Sequence, residues 1–196
     1  MEAKARIILN AEETFARRVA LGAIVRRPVK PLLQLIPGMF IIDFLKRTHE
    51  IRRYSRYYLF PRKTALEAAS RTVPGETVDD GSDGIQDRTR AWLEAASLYS
   101  EAARSALEAM IGLLTEHYTR LLMADGDSYG DLVRGAYGTR MQYQAFLKEL
   151  CSLEGAFDEA LVDGAEDRAP IEQRLQEERR QVEEQRQRDT ETIFLT

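Results

Sequence analysis

One cysteine, one tryptophan and two histidines are all that this chain of 196 residues carries of those types. The lone thiol, Cys151, cannot build a disulfide framework or a zinc site of several cysteines, and it fits a reducing compartment. Prolines number six and glycines twelve, and they cluster at a few places. Long stretches are therefore free of the breakers that a many-stranded fold requires. No window holds the roughly 20 apolar residues that cross a bilayer. The start, Met1-Glu2-Ala3-Lys4-Ala5-Arg6, has no apolar run behind its basic residues, so no secretory signal is expected. Glu12 and Glu13 argue against a transit peptide, which is poor in acids. Phosphate-binding Gly motifs and Ser-His-Asp arrangements are missing too, and the expectation is a protein that is not an enzyme and carries no cofactor.

What is present is charge, unevenly spread. Hydrophobic residues make up 44% of the chain, enough for a core, and charged residues 31%, which suits solvated helices. Between Arg17 and Lys63 stand twelve Lys or Arg against two acids, a net of +10. Residues 64 to 196 hold fourteen bases and twenty-seven acids, a net of -13. Such asymmetry points to an anionic partner for the first third, or to pairing between the two parts.

Periodicity predicts an all-α protein. Asn10 with Glu13 has the form of an N-cap and its reciprocal acid, opening a helix that Arg26-Arg27-Pro28 ends. A second helix is expected from Met39 to Pro61, with Ile41, Phe44, Leu45, Ile51, Tyr58 and Leu59 on one side and Lys46, Arg53 and Arg56 beside them. Thr64-Ala65-Leu66-Glu67 has the form of a capping box that opens a short helix. Residues 73 to 86 are acidic and rich in turn formers, and are expected to be a linker. Beyond it, Ala103, Leu107, Met110, Leu114, His117 and Leu121 step by four and three, the spacing of a packing seam, within a helix expected from Asp87 to Met123. A turn at Ala124 to Gly130 leads to a second long helix, from Asp131 to Val162, and the pair predicts an antiparallel helical hairpin, bundle-like in its packing. Pro170 suits the first turn of a last helix running to Arg188, so polar that it is expected to be solvated or one strand of a weak coiled coil. The expected organisation is a basic, partly apolar helical region at 1-72, an acidic linker at 73-86, the hairpin at 87-163, and a charged helix and tail at 164-196.

Several residues invite chemistry. Glu116-His117 and His49-Glu50 are adjacent pairs whose side chains diverge by about 100° on a helix, whereas helical metal sites use Glu-x-x-His. A histidine packed in a seam is the simpler reading, and no metal is expected. Asp125-Gly126-Asp127-Ser128-Tyr129-Gly130 matches an EF-hand loop at positions 1, 3 and 6, but position 5 is Tyr129 and position 12 is Ala136. A polar turn with an aspartate capping the next helix fits better. Cys151, beside Leu150, is expected to be buried and inert.

The segment Pro31 to Leu45 is the most informative. It is strongly apolar, is broken by Pro37-Gly38, and is flanked by Arg26, Arg27 and Lys30 before it and Lys46 and Arg47 after it. Fifteen residues are too few to cross a bilayer but enough to dip into one leaflet. Three readings stay open: a core segment whose arginines pair with the acidic remainder, a membrane-docking segment, and a nucleic-acid surface. The interleaving of Arg52, Arg53, Tyr54, Arg56, Tyr57 and Tyr58 would serve single strands, but overall acidity weighs against that. The favoured expectation is a peripheral membrane-associated scaffold or interaction protein, cytoplasmic or on the inner face of a membrane, able to self-assemble. Its anionic-surface residues would be Arg26, Arg27, Lys30, Phe40, Phe44, Lys46, Arg47, Arg52, Arg53, Tyr54, Arg56, Tyr57 and Tyr58. A soluble helical regulator or nucleic-acid binder using the same segment is the alternative.

Overall fold

A computed structural model describes residues 1–25, 39–72, 81–163 and 168–195, with the side chains of 23–25, 39–50, 53, 81–83 and 170 outside that description. The described residues form seven helices and no strand, an all-α, bundle-like fold: α1 (Glu2–Val25), α2 (Met39–Thr72), α3 (Gly81–Ala95), α4 (Glu101–Met123), α5 (Tyr129–Tyr137), α6 (Arg140–Asp163) and α7 (Arg168–Phe194). Helix α4 is the axis. It packs on α2 and α6 most extensively and also touches α1, α3 and α5. The predicted seam of Ala103, Leu107, Met110, Leu114, His117 and Leu121 is buried along its whole length, and Ile111, Tyr118 and Leu122 bury a second side. A helix that is apolar on two sides must be covered on two sides. One core cluster accordingly takes residues from all seven helices, among them Ile8, Ala65, Leu93, Leu107, Leu132, Phe146 and Ile193.

Helix α2 does not stop at Pro61. It continues to Thr72 with that proline inside it. Proline removes one ladder hydrogen bond, to the Tyr57 carbonyl, but Pro61 is buried and Ala65, Leu66 and Ala69 carry the helix on into the core. The expected capping box is overridden. Thr64 is 1% exposed within the helix, and Glu67 gives its carboxylate to Arg88 on α3 at 2.7 Å. Similarly, Asn10 lies inside α1, which already begins at Glu2, and Glu13 pairs with Lys63 at 3.1 Å.

The two long helices expected at 87–123 and 131–162 are each broken once. Helix α3 ends in a Schellman turn: Ser97 has φ 57°, its N–H donates to the Glu94 carbonyl at 3.0 Å, and the Leu98 N–H donates to the Leu93 carbonyl at 2.9 Å. Ser100 then caps α4, its Oγ accepting from the Ala103 N–H at 3.0 Å. In the other arm, Gly138 has φ 67° and ends α5 before α6 begins at Arg140. The turn at 124–128 stands as expected, with a correction to its cap: Ser128, not an aspartate, caps α5, accepting from the Asp131 N–H at 3.2 Å and donating to the Asp131 carboxylate at 2.6 Å. Residues 81–86 of the expected linker belong to α3, and 73–80 lie outside the described residues. Helix α7 runs past Arg188 to Phe194 and is a bundle helix rather than a solvated one, since Val182, Thr190 and Ile193 are buried.

Candidate functional site

Of the residues expected to meet an anionic surface, Arg26, Arg27 and Lys30 lie outside the described residues, as do the side chains of Phe40, Phe44, Lys46, Arg47 and Arg53. The tyrosines do not project outward together as expected. Tyr54 is 9% exposed and packs with Val19, Ala20 and Val182. Tyr58 stacks between Tyr54 and Phe15, with ring centroids 5.9 and 5.6 Å away. Tyr57 meets the edge of Trp92 at 5.4 Å. All three rings are used inside the bundle, because α1, α3 and α7 cover the sides of α2 that carry them.

Arg52 and Arg56 are exposed. At 100° per residue, Arg52, Arg56 and Lys63 fall within about 40° of one another along the outer side of α2. Arg17 of α1 joins them at a shallow groove whose floor is Phe60 stacked on Trp92, ring centroids 4.5 Å apart and nearly parallel. Lys63 and Arg88 at this groove are paired with Glu13 and Glu67. Arg17, Arg52 and Arg56 have no carboxylate partner among the described residues. The groove thus carries three uncompensated positive charges, all on exposed side chains.

The interior presents the opposite arrangement. Arg62 is 4% exposed, and each of its guanidinium nitrogens is used. Its Nε donates to Glu12 Oε2 at 3.1 Å, Nη1 to the Tyr58 carbonyl at 2.9 Å, and Nη2 to Glu154 Oε1 at 2.9 Å. The guanidinium lies 3.4 Å over the Tyr58 ring. Arg186 grips both oxygens of Glu154 at 2.7 and 2.8 Å, and Tyr118 donates to Glu12 Oε1 at 2.8 Å. Two arginines, two glutamates and a tyrosine from α1, α2, α4, α6 and α7 form one closed, neutral network. Burial alone would raise the Glu154 carboxyl, but Arg186 and Arg62 outweigh it and hold it below the usual range. Burial would lower Arg62, and Tyr58, Glu12 and Glu154 outweigh that and raise it. The acidic part of the chain is therefore partnered with Arg62, through Glu154, and at the surface with Arg18, which meets Asp189 at 3.3 Å, and not with Arg52 or Arg56. Sequence reasoning missed this network, which joins residues 50, 92 and 32 positions apart.

Next to the network lies a cavity of about 470 Å³. Its apolar wall includes Phe15, Leu114, Phe146 and Leu150, and its polar groups include Tyr129, Tyr143 and His117. The seam histidine is packed as expected: 2% exposed, stacked on Phe146 at 4.2 Å, with Nδ1 2.7 Å from the Tyr137 hydroxyl. Burial, with Arg120 and Arg62 nearby, pushes it down to about 3, so it is neutral at physiological pH. Cys151 is half-buried rather than fully so, and burial raises its thiol. No group of three or more His, Cys, Asp or Glu that could hold a metal ion occurs among the described residues, and no helix among them is long and apolar enough to cross a membrane. Comparison of the chain with models of protein families, with curated proteins and with solved structures found no match.

Proposed function

We propose that the protein is a non-enzymatic helical scaffold that docks on an anionic membrane surface through the outer side of α1 and α2, leaving the rest of the bundle to meet a partner protein or a second copy. The observation that carries this reading is the contrast between compensated and uncompensated arginines. A chain that needed positive charge only for folding would pair it, as it pairs Arg62 and Arg186. Arg17, Arg52 and Arg56 are instead left to water on one exposed face, where they can meet lipid phosphates. Each well-placed arginine contributes about 1 kcal/mol at an anionic surface, so three contribute about 3 kcal/mol. That alone is weak, and stable attachment takes a second signal. The apolar segment Pro31 to Leu45 supplies a candidate, because its last residues open α2, the helix that carries Arg52 and Arg56.

The test is flotation of the full chain with vesicles of phosphatidylcholine alone and with added phosphatidylserine. Recovery with the floating vesicles should require phosphatidylserine and fall as salt rises, since charge interactions at a surface are screened over about 10 Å at 0.1 M salt. Equal recovery with and without vesicles at low salt would reject docking. Release of bound protein by single-stranded RNA, with tight RNA binding in the absence of vesicles, would move the same face to the nucleic-acid reading.

A further inference from the structure

We propose that the groove between α1, α2 and α3 is a site for the headgroup of an inositol phospholipid that carries at least two phosphate monoesters. This rests on the docking reading above and gives it a target: one lipid of the anionic surface, recognised by its phosphates, in place of surface charge in general. Among the described residues, five basic and two acidic side chains line the groove. Lys63 holds Glu13 and Arg88 holds Glu67, which leaves the positive charges of Arg17, Arg52 and Arg56. They reach the groove from two helices, Arg17 from α1 and the other two from α2, where they stand one turn apart, about 6 Å along the axis. Like charges on two walls of one groove repel one another, and none of the three has an acid of its own among the described residues. A ligand with several negative charges close together relieves all three at once, whereas singly charged ligands must be collected one by one.

The kind of cation narrows the chemistry of the ligand. All three are arginines, and the guanidinium fork matches two oxygens of one phosphate. A phosphate monoester carries about -1.5 to -2 at pH 7, so two of them supply about -3 to -4 against the three arginines. Phosphatidylserine is a poorer match. It also brings an ammonium group, and the two acids of the groove are already neutralised and have no charge to spare for it. An inositol headgroup has no cation. Between the charged walls the floor is Phe60 stacked on Trp92, both half-buried and uncharged, a surface that the C–H bonds of the ring can cover. The groove is shallow and open to solvent, as it must be for a headgroup still attached to a bilayer.

The test compares phosphatidylcholine vesicles containing phosphatidylserine with vesicles containing phosphatidylinositol 4,5-bisphosphate, the latter at about a quarter of the mole fraction so that surface charge is matched. The full chain should float on the phosphoinositide vesicles at a lipid concentration about tenfold lower. Equal recovery on the two overturns this inference and leaves the docking reading in place. Inositol 1,4,5-trisphosphate, titrated into the full chain without vesicles, should bind one to one by calorimetry and change the emission of Trp92, the only tryptophan in the chain. Absence of saturable binding, or binding that leaves Trp92 unchanged, overturns the proposal. Saturable binding of the trisphosphate without flotation on either vesicle rejects the lipid source, and the docking reading with it. Changing Arg17, Arg52 and Arg56 to Lys keeps the charge and gives up the forks. It should cut the preference for phosphoinositide over phosphatidylserine severalfold. An unchanged preference in that variant rejects recognition of the phosphates by the arginine forks.

Discussion

Arg56 and Arg62 stand six residues apart on the same helix, in opposite surroundings. Arg62 is enclosed by two carboxylates, a carbonyl and a tyrosine ring, whereas Arg56 faces water. Six residues at 100° each turn the helix by about 240°, so one lies on the packed side and the other on the outer side. The comparison separates two uses of positive charge that a count of arginines merges. Of the +10 carried between Arg17 and Lys63, the interior part serves to register five helices against one another, and the outer part is available to something else. Buried ion pairs are weak sources of net stability, since desolvation offsets their attraction, but breaking one is costly because its partner is left charged and alone. The network thus acts as a check on correct assembly: α1, α2, α6 and α7 must all be in place before all four of its charges are satisfied.

The sharpest way to test the buried half is to remove its centre. Arg62→Ala leaves Glu12 without its ion-pair partner and Glu154 with Arg186 alone, and it should cost about 3–5 kcal/mol in urea or guanidinium unfolding. A loss below about 1 kcal/mol would show that water reaches the network, and the contrast with Arg56 would fail.

A second prediction uses pH. His117 has a folded value of about 3 against an ordinary value of 6.5. The unfolded chain therefore takes up that proton first, and stability falls as pH drops below 6.5. Burial, with Asp158 nearby, pushes Glu178 the other way, from 4.5 up to about 7. The folded chain takes up that proton first, so Glu178 adds stability as pH drops from 7 to 4.5. The two oppose each other between pH 6.5 and 4.5. Removing the second by Glu178→Gln should steepen the loss of stability across this window, by up to about 1.4 kcal/mol per pH unit for one proton. Parallel stability profiles for wild type and variant would mean that Glu178 titrates as an ordinary carboxylate.

Smaller still is the cost of filling the break in the second arm. Gly138 has φ 67° and ψ -42°, a conformation that side chains resist, and Gly138→Ala should cost about 1–3 kcal/mol. No change in melting temperature would indicate that α5 and α6 can join into one helix.

These boundaries mark how far the sequence could be followed. The α class was legible from scarce breakers, and the seam from Ala103 to Leu121 from its spacing. The break after Ala95 was not, because Ser97 occupies a left-handed position where glycine is the usual signal. The break at Gly138-Thr139 did carry its signal, but apolar periodicity running through Val133, Tyr137 and Phe146 masked it. Pro61 and the box at Thr64 to Glu67 gave correct local signals that tertiary packing overrode. The ion-pair network was beyond reach in principle, because pairing of residues 50 and 92 positions apart leaves no local pattern. Of the anionic-surface residues, the exposure of Arg52 and Arg56 followed from the helix period. The inward turn of Tyr54 and Tyr57 did not, since it depends on which helices flank α2.

The smallest expected effect on folding belongs to the exposed arginines, and there the comparison is most exposed to failure. Changing Arg17, Arg52 and Arg56 to Glu removes no ion pair among the described residues, so the melting temperature should move little, each site contributing no more than about 0.5 kcal/mol. Flotation with phosphatidylserine vesicles should nonetheless be abolished, because a face that carried three positive charges would carry three negative ones. Lys63 sharpens the point. It shares the stripe with Arg52 and Arg56, but Glu13 already holds it at 3.1 Å. If uncompensated charge is what matters, Lys63→Ala and Arg56→Ala should weaken docking alike, because each lowers the charge of the face by one, whereas removing the pair together, Lys63→Ala with Glu13→Ala, should leave docking nearly unchanged. The two single variants differ in folding: Lys63→Ala loses a surface pair, up to about 1 kcal/mol, and Arg56→Ala loses none. A triple variant that unfolds, or an Arg56→Ala variant as destabilised as Lys63→Ala, would show that these arginines hold the fold together, and the distinction between Arg56 and Arg62 would collapse into a single structural role.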